Sequence, residues 1–244
     1  MYSKQQTDMD FGSFMEAAGY SPDTRRCYSY YARMIPADLD QTNLDAMILA
    51  RRHPAFRSFL RTYIYEFLKR HDLHVSRRRG HPRRVAVRYL SRQELELLLA
   101  SDLDPRVRMF VRLVMETGLR ISEVLRVNKY ILMFGRVTGK GNVESDLIVS
   151  RGLMEEFLKA CDSRGTVFNV KRNTLYKMVR AAGEKFLEKK ISPHDFRRTY
   201  GVKRRGEGCD IYRLSKELRH GDIGTTQRYF DVPEKEMAEK GWSA

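Results

Sequence analysis

Between Ile191 and Phe230 the chain holds two histidines, His194 and His220, with Arg197 three positions after the first and Tyr229 nine positions after the second. A phenol, two imidazoles and a guanidinium suit phosphoryl transfer. A tyrosine phenol can attack a phosphodiester and keep its energy in a covalent phosphotyrosine, which a returning hydroxyl reverses. The transition state gathers negative charge on non-bridging oxygens, and planar guanidinium forks match that geometry better than ammonium groups do. Arg197 and Arg120 are the candidates for such a clamp. A histidine near the phenol can accept its proton or donate a hydrogen bond to phosphate, while a cation on the far side protonates the alkoxide leaving group. Lys140, in the turn Gly139-Lys140-Gly141-Asn142, is the candidate for that second task. The arginines supply the positive charge, so this scheme needs no metal and no other cofactor.

The elements that must position these groups fall into two parts. From Phe11 to Asp72 the pattern is mostly helical, with Ser21 and Pro22 placed as N-cap and first residue of a helix over Asp23 to Met34. A further helix, about His53 to Arg70, sets Phe56, Phe59, Leu60, Tyr63 and Phe67 on one stripe. Tyr28, Tyr30, Tyr31, Tyr63 and Tyr65 are expected chiefly in the core of this small bundle, and Arg25 and Arg26 are candidate phosphate contacts. Helical periodicity then disappears. Arg77, Arg78, Arg79, Arg83 and Arg84, with Gly80 and Pro82 among them, read as a basic linker suited to a duplex backbone, where each neutralised phosphate releases counterions. The expected division is a helical DNA-binding domain over 1–76, a linker over 77–88 and a catalytic domain over 89–244.

The second domain opens with an S-x-x-E capping box, Ser91 to Glu94, before a leucine-rich helix. A helix over about Arg106 to Thr117 stops at Gly118, and Arg120 stands at the start of the next, where N–H groups and the dipole favour an anion. Tyr130 to Thr138 and Val143 to Ser150 are expected as two strands joined by the Gly139 to Asn142 turn, with Thr166 to Val170 a possible third. Helices follow over about Leu153 to Cys161 and Thr174 to Lys189, the latter with Asn173 as its cap. His194 to Arg204 is a helix begun by Ser192 and Pro193, which puts His194 and Arg197 on one face. After Pro233 a short helical tail is expected, stopped by Gly241 and anchored by Met237 and Trp242.

Composition narrows the partner. The 46 Lys and Arg against 31 Asp and Glu leave a formal charge of +15, which points to a polyanion, with nucleic acid ahead of a membrane surface. No uncharged apolar run approaches the roughly 20 residues that span a bilayer, and Met1 to Asp10 lacks a signal peptide's apolar segment. A soluble, cytoplasmic protein is the expectation. Cys27, Cys161 and Cys209 are too few and too far apart for a disulfide framework or a CxxC metal pair, and are expected as buried free thiols.

Four of these stretches together resemble the tyrosine recombinases, the phage integrase and Xer family. Thr117-Gly118-Leu119-Arg120-Ile121-Ser122-Glu123 resembles the first arginine motif, Gly139 to Asn142 the β-hairpin lysine motif, and His194-Asp195-Phe196-Arg197 the H-x-x-R box. Leu218-Arg219-His220-Gly221 with Thr225, Thr226 and Tyr229 resembles the closing box. The resemblance is close over residues 89 to 231 and architectural before them. It implies a mainly α fold with a small antiparallel β-sheet (α+β), in which an N-terminal helical bundle and a catalytic domain form a C-shaped clamp on double-stranded DNA. It implies that Arg120 and Arg197 bind the scissile phosphate, that Lys140 protonates the 5′-hydroxyl, and that His194 and His220 assist. Tyr229 would form a 3′-phosphotyrosine, with Glu123 in support. The activity implied is site-specific recombination, in chromosome dimer resolution or mobile-element integration and excision, by a tetramer assembled on DNA through the C-terminal tail. Many relatives have a histidine shortly after the tyrosine; here the chain reads Phe230-Asp231-Val232.

Two other functions use the same features. A topoisomerase IB-like enzyme would relax supercoils as a monomer, and an architectural DNA-binding protein would use the basic clamp alone. The intact set of six catalytic side chains argues against the second, and assembly on paired sites separates recombination from the first.

Overall fold

Serine, aspartate and asparagine caps start many of the helices. The computed structural model describes residues 10–51, 54–76, 87–138 and 144–243, in two compact units, Met1–Arg83 and Arg84–Ala244. Among the described residues the fold is mainly helical, with one two-stranded antiparallel sheet. No described helix is long and apolar enough to cross a membrane.

In the first unit Asp10, Ser21 and Asp40 cap α1 (Phe11–Ala17), α2 (Pro22–Ala32) and α3 (Gln41–Ala50). Each side-chain oxygen accepts from backbone N–H groups that have no partner inside the helix. Helix α4 (Pro54–Arg61) runs on into a π-helical turn, Thr62–Phe67, where the sequence predicts one uninterrupted α-helix. The apolar stripe lies inward all the same: Phe56, Phe59, Leu60 and Ile64 are fully buried. Phe11, Tyr28 and Tyr31 close over the Phe59 ring in edge-on or tilted contacts. Tyr30 departs from the expected packing and is 57% exposed.

In the second unit the Ser91 hydroxyl accepts from Glu94 N while the Glu94 carboxylate accepts from Ser91 N, which is the expected capping box at the start of α5 (Arg92–Ala100). Helix α6 (Pro105–Thr117) fully buries Phe110, Val111, Leu113 and Val114 and ends at left-handed Gly118, φ 62°. Burying each such side chain contributes about 1.5–3 kcal/mol. Helix α7 (Ile121–Val124) is a single turn.

The expected strand over Tyr130 to Thr138 is largely helix. Asn128 Oδ1 accepts from Ile131 N to start α8 (Lys129–Phe134), and left-handed Gly135 stops it. A short apolar run fits either period, and here the cap and the glycine decide. Among the described residues the strands are β1 (Arg136–Thr138) and β2 (Glu144–Asp146), with Arg136 opposite Asp146. Thr166 to Val170, a possible third strand by sequence, is irregular. Its Thr166 hydroxyl donates to the Val127 carbonyl, tying the segment to the end of the preceding loop.

Helices α9 (Arg151–Ala160), α10 (Arg172–Leu187), α11 (Pro193–Gly206), α12 (Ile211–Glu217), α13 (Gly224–Phe230) and α14 (Glu234–Glu239) complete the unit. Lys171, not Asn173, takes the cap position of α10. Helix α11 packs on α6 and α13, with the Phe110 and Phe196 rings edge-on at 5.9 Å. The tail lies on its own unit in the single chain. Trp242 Nε1 donates to Leu90 O at 2.7 Å, Arg92 N donates to Lys240 O, and Met237 is buried. All three cysteines are free thiols, but only Cys209 is buried; Cys27 and Cys161 are half-buried.

Candidate active site

Four chain segments converge here, and helix ends aim them. Gly118 lets α6 stop and turn back, because φ 62° is a conformation other residues avoid. The turn leaves the Gly118 carbonyl facing Arg197, whose Nη1 donates to it at 2.6 Å; Nη2 donates to the Leu218 carbonyl at the end of α12. Arg197 is 1% exposed. Burial, then Arg120, pushes its guanidinium down to about 9, so it stays charged at neutral pH. Its Nε has no hydrogen-bond partner among the described residues.

Arg120 sits at the N-cap of α7, where the sequence suggests an anion site. The anion is Glu123 itself: its carboxylate accepts from Arg120 N and from Arg120 Nη1, both at 2.8 Å. Burial opposes the Glu123 charge, but the bonds from Arg120 and the nearby Arg219 outweigh it and hold the carboxyl below its ordinary range. The remaining Nη2 of Arg120 donates to the Arg219 carbonyl at 3.1 Å. Glu123 thus forms an ion pair within its own helix start and also lies against the neighbouring arginines.

Tyr229, on α13, is 1% exposed. Its ring lies flat on the bare backbone of Gly201 in α11, where an added Cβ would meet three ring carbons at 3.1 Å. The His220 ring stacks beside it, 6.4 Å between centroids and 15° between planes, and His220 Nδ1 shares a 2.7 Å hydrogen bond with the Thr226 hydroxyl. Burial raises the phenol's pKa, and Arg197, Arg228, Arg198 and Arg120 pull against it. A phosphate drawn between those arginines and the phenol would find the nucleophile already in a strongly positive field.

His194 and His220 are both pushed down to about 4, first by burial and then by arginines: Arg198 and Arg197 for His194, Arg197 and Arg120 for His220. His194 is exposed at the surface, so the low value carries more weight for half-buried His220. Neutral imidazoles are thus held where an unfolded chain would bind protons below the usual His value of about 6.5. The folded pKa is the lower one, so this contribution to stability is full above about 6.5 and is lost as pH falls towards 4. Thermal unfolding of a His220→Gln variant is expected to depend less on pH between 6.5 and 4 than that of the parent, followed by circular dichroism.

The structure thus gathers Arg120, His194, Arg197, His220 and Tyr229. Lys140 lies outside the described residues, as do Arg77, Arg78, Arg79, Arg83 and Arg84; β1 and β2 flank the segment that carries Lys140. In the other unit Arg26 is exposed, whereas Arg25 is paired with Glu16 at 2.6 Å. Sequence reasoning passed over two groups. Arg205 Nη1 donates to the Tyr229 carbonyl at 2.8 Å and fixes the backbone at that tyrosine. Arg219, with 4% of its side chain exposed, lies 3.5 Å from Glu123. Its position next to His220, at the end of a helix, was the available signal. No group of three or more metal-ligating side chains occurs among the described residues.

Comparison with known proteins gives the family and the fold. Residues 88–236 match the phage integrase family. Tyrosine recombinase XerA of Saccharolobus solfataricus is 26% identical over 155 residues, which cover 60% of this chain and 53% of that protein. Tyrosine recombinase XerD of Staphylococcus aureus is 27% identical over 168 residues, covering 59% and 57%. The match therefore spans little more than half the length of these relatives. A lambda integrase dimer bound to a COC′ core site shares the fold, with a TM-score of 0.68 at 17% identity over 91% of this chain and 93% of that one. With three-fifths of its length inside the matched region, the chain belongs to the phage integrase family.

Proposed function

We propose that this chain is a site-specific DNA recombinase, an enzyme that cleaves and rejoins strands through a 3′-phosphotyrosine. The observation that carries the reading is Tyr229 stacked beside His220 and within the electrostatic reach of Arg197 and Arg120, which share Glu123. In this mechanism the Tyr229 oxygen attacks the scissile phosphorus and the 5′-oxygen leaves. Arg120 and Arg197 bind the phosphate oxygens, and a proton passes from Lys140 to the departing 5′-oxygen. His220 and His194, neutral at physiological pH, take up the phenol proton or hydrogen-bond the phosphate. A 5′-hydroxyl from the other strand reverses the step, so bond energy is conserved.

Double-stranded DNA carrying a specific site is the proposed substrate, bound by a DNA-binding domain over 1–76 and a catalytic domain over 89–244, with the basic linker over 77–88. Arg25, Arg26, Arg77, Arg78, Arg79, Arg83 and Arg84 are proposed phosphate contacts. The formal charge of +15 supports a polyanionic partner. A dimer on one core site, as in the lambda integrase complex, makes four protomers for an exchange between two sites. The tail, held in cis by Trp242 in the single chain, would link them by docking on a neighbour. A cytoplasmic location accords with this role.

A nicked suicide duplex tests the reading. Once the short 5′-fragment has diffused away, the wild-type chain should accumulate a covalent adduct visible on a denaturing gel, and Tyr229→Phe should form none. An adduct of equal yield in the phenylalanine variant would remove Tyr229 from its role.

A further inference from the structure

Three described residues other than glycine have left-handed backbones: Lys69, Glu188 and Arg219, at φ 53°, 53° and 54°. The conformation is disfavoured for L side chains and is ordinarily left to glycine. Lys69 and Glu188 point their side chains into solvent. Arg219 turns its own inward, with 4% of the side chain exposed. Such a burial needs partners. Nη2 donates to the Thr117 carbonyl at 3.1 Å, and Nε lies 3.5 Å from Glu123 Oε2, a charge contact without a directed hydrogen bond.

The turn at Arg219 also feeds the site from its backbone. The Leu218 carbonyl receives Arg197, the Arg219 carbonyl receives Arg120, and the next residue is His220. Three guanidinium groups, those of Arg120, Arg197 and Arg219, thus surround one carboxylate at 2.8, 3.9 and 3.5 Å. Counted as formal charges the cluster is +2 when empty. Attack of a phenolate on a phosphodiester gives a transition state of charge −2, so a third guanidinium balances what two with a glutamate would leave short by one.

We propose that Arg219 is a positioning residue for strand cleavage: it pins Glu123 and the turn after α12 from behind, so that Arg120 and Arg197 are held as a preformed pair for the scissile phosphate. The inference rests on the recombinase reading above. Arg219 reaches the Thr117 carbonyl and Glu123 on the inner side of the cluster, so it acts through those groups and not by touching DNA. Its side chain therefore contributes to the rate of cleavage more than to affinity for the duplex.

The experiment uses the full chain with a nicked suicide duplex at saturating concentration, and measures single-turnover adduct formation alongside the Kd for uncleaved duplex. Arg219→Gly relieves the left-handed backbone and removes the guanidinium; Arg219→Gln removes only the charge and the fork. Both should slow adduct formation about 10- to 100-fold with Kd within about threefold of the parent, a range typical when a group that orients a directly acting residue is lost. Arg219→Lys, which keeps a charge, should recover part of the rate and serves as the test if the other variants fold poorly. Combining Arg219→Gln with Glu123→Gln should be no slower than the slower single variant, because the two residues act along one path. The inference is overturned if Arg219→Gly cleaves at the parental rate, or if Kd rises in step with the loss of rate. It is overturned equally if the double variant shows the product of the single effects. An inert parent chain would defeat the recombinase reading itself, whereas an active parent with an equally active Arg219→Gly defeats only the role of Arg219.

Discussion

Arg197→Lys is expected to slow strand cleavage by about a hundred- to a thousand-fold, the ~2.7–4 kcal/mol commonly lost with one transition-state donor. The positive charge survives this change, so charge alone cannot be the reason. The Arg197 fork spans two carbonyls on different segments, Gly118 at the end of α6 and Leu218 at the end of α12. A lysine ammonium is a single point and cannot reproduce the planar fork whose two nitrogens each reach one of those buried oxygens. The two helix ends then lose the tie that registers Arg120 against His220. Single-turnover adduct formation checks this, with duplex binding measured alongside and expected to change little. A lysine variant within tenfold of the parent would mean that charge, and not the fork, is what the site uses.

The second large effect is on stability. Gly118→Ala should destabilise the second unit by about 2–5 kcal/mol, measured by denaturant unfolding. A left-handed backbone costs an L residue about 1–2 kcal/mol. The added Cβ would also stand 2.7 Å from the Tyr200 ring and 2.8 Å from Leu218, an overpacking worth about 1–3 kcal/mol. Tyr200 cannot simply swing aside, because its hydroxyl donates to Glu217, which also takes a two-point ion pair from Arg204. Gly208→Ala is the control: its φ is 81° but nothing lies within 4 Å of the new Cβ. It should show the backbone cost alone, and an equal loss in both variants would put the whole effect on backbone conformation.

Much of the site could be read from the sequence because its signals are local. The H-x-x-R spacing places His194 and Arg197 on one helical face, and Ser192 with Pro193 announces the helix that carries them. Thr117-Gly118 announces a helix end, and the glycine is where the chain turns left-handed. What stayed hidden depends on contacts distant in sequence. Arg219 looks like one more surface arginine until Glu123 and the Thr117 carbonyl, some hundred residues away, are brought against it. The strand misread over Tyr130 to Phe134 has a different cause. Its apolar residues suit a strand, and only the pairing of the Asn128 cap with Gly135 makes a helix of it. Gly201 gives no local signal either, since its function is to be flat under a tyrosine from another helix.

Helix α11 is also the measure along which these contacts are arranged. It carries His194 and Arg197 in its first turns, the Tyr229 ring at Gly201, and the carbonyl of Trp242 against Gly206, where a Cβ would come within 1.6 Å. From Arg197 to Gly206 is nine residues, or about 13 Å of helix. Trp242 is the chain's single tryptophan. The intrinsic indole emission of this chain therefore arises entirely from the tail, so that a label-free optical signal reports whether the far end of α11 is covered.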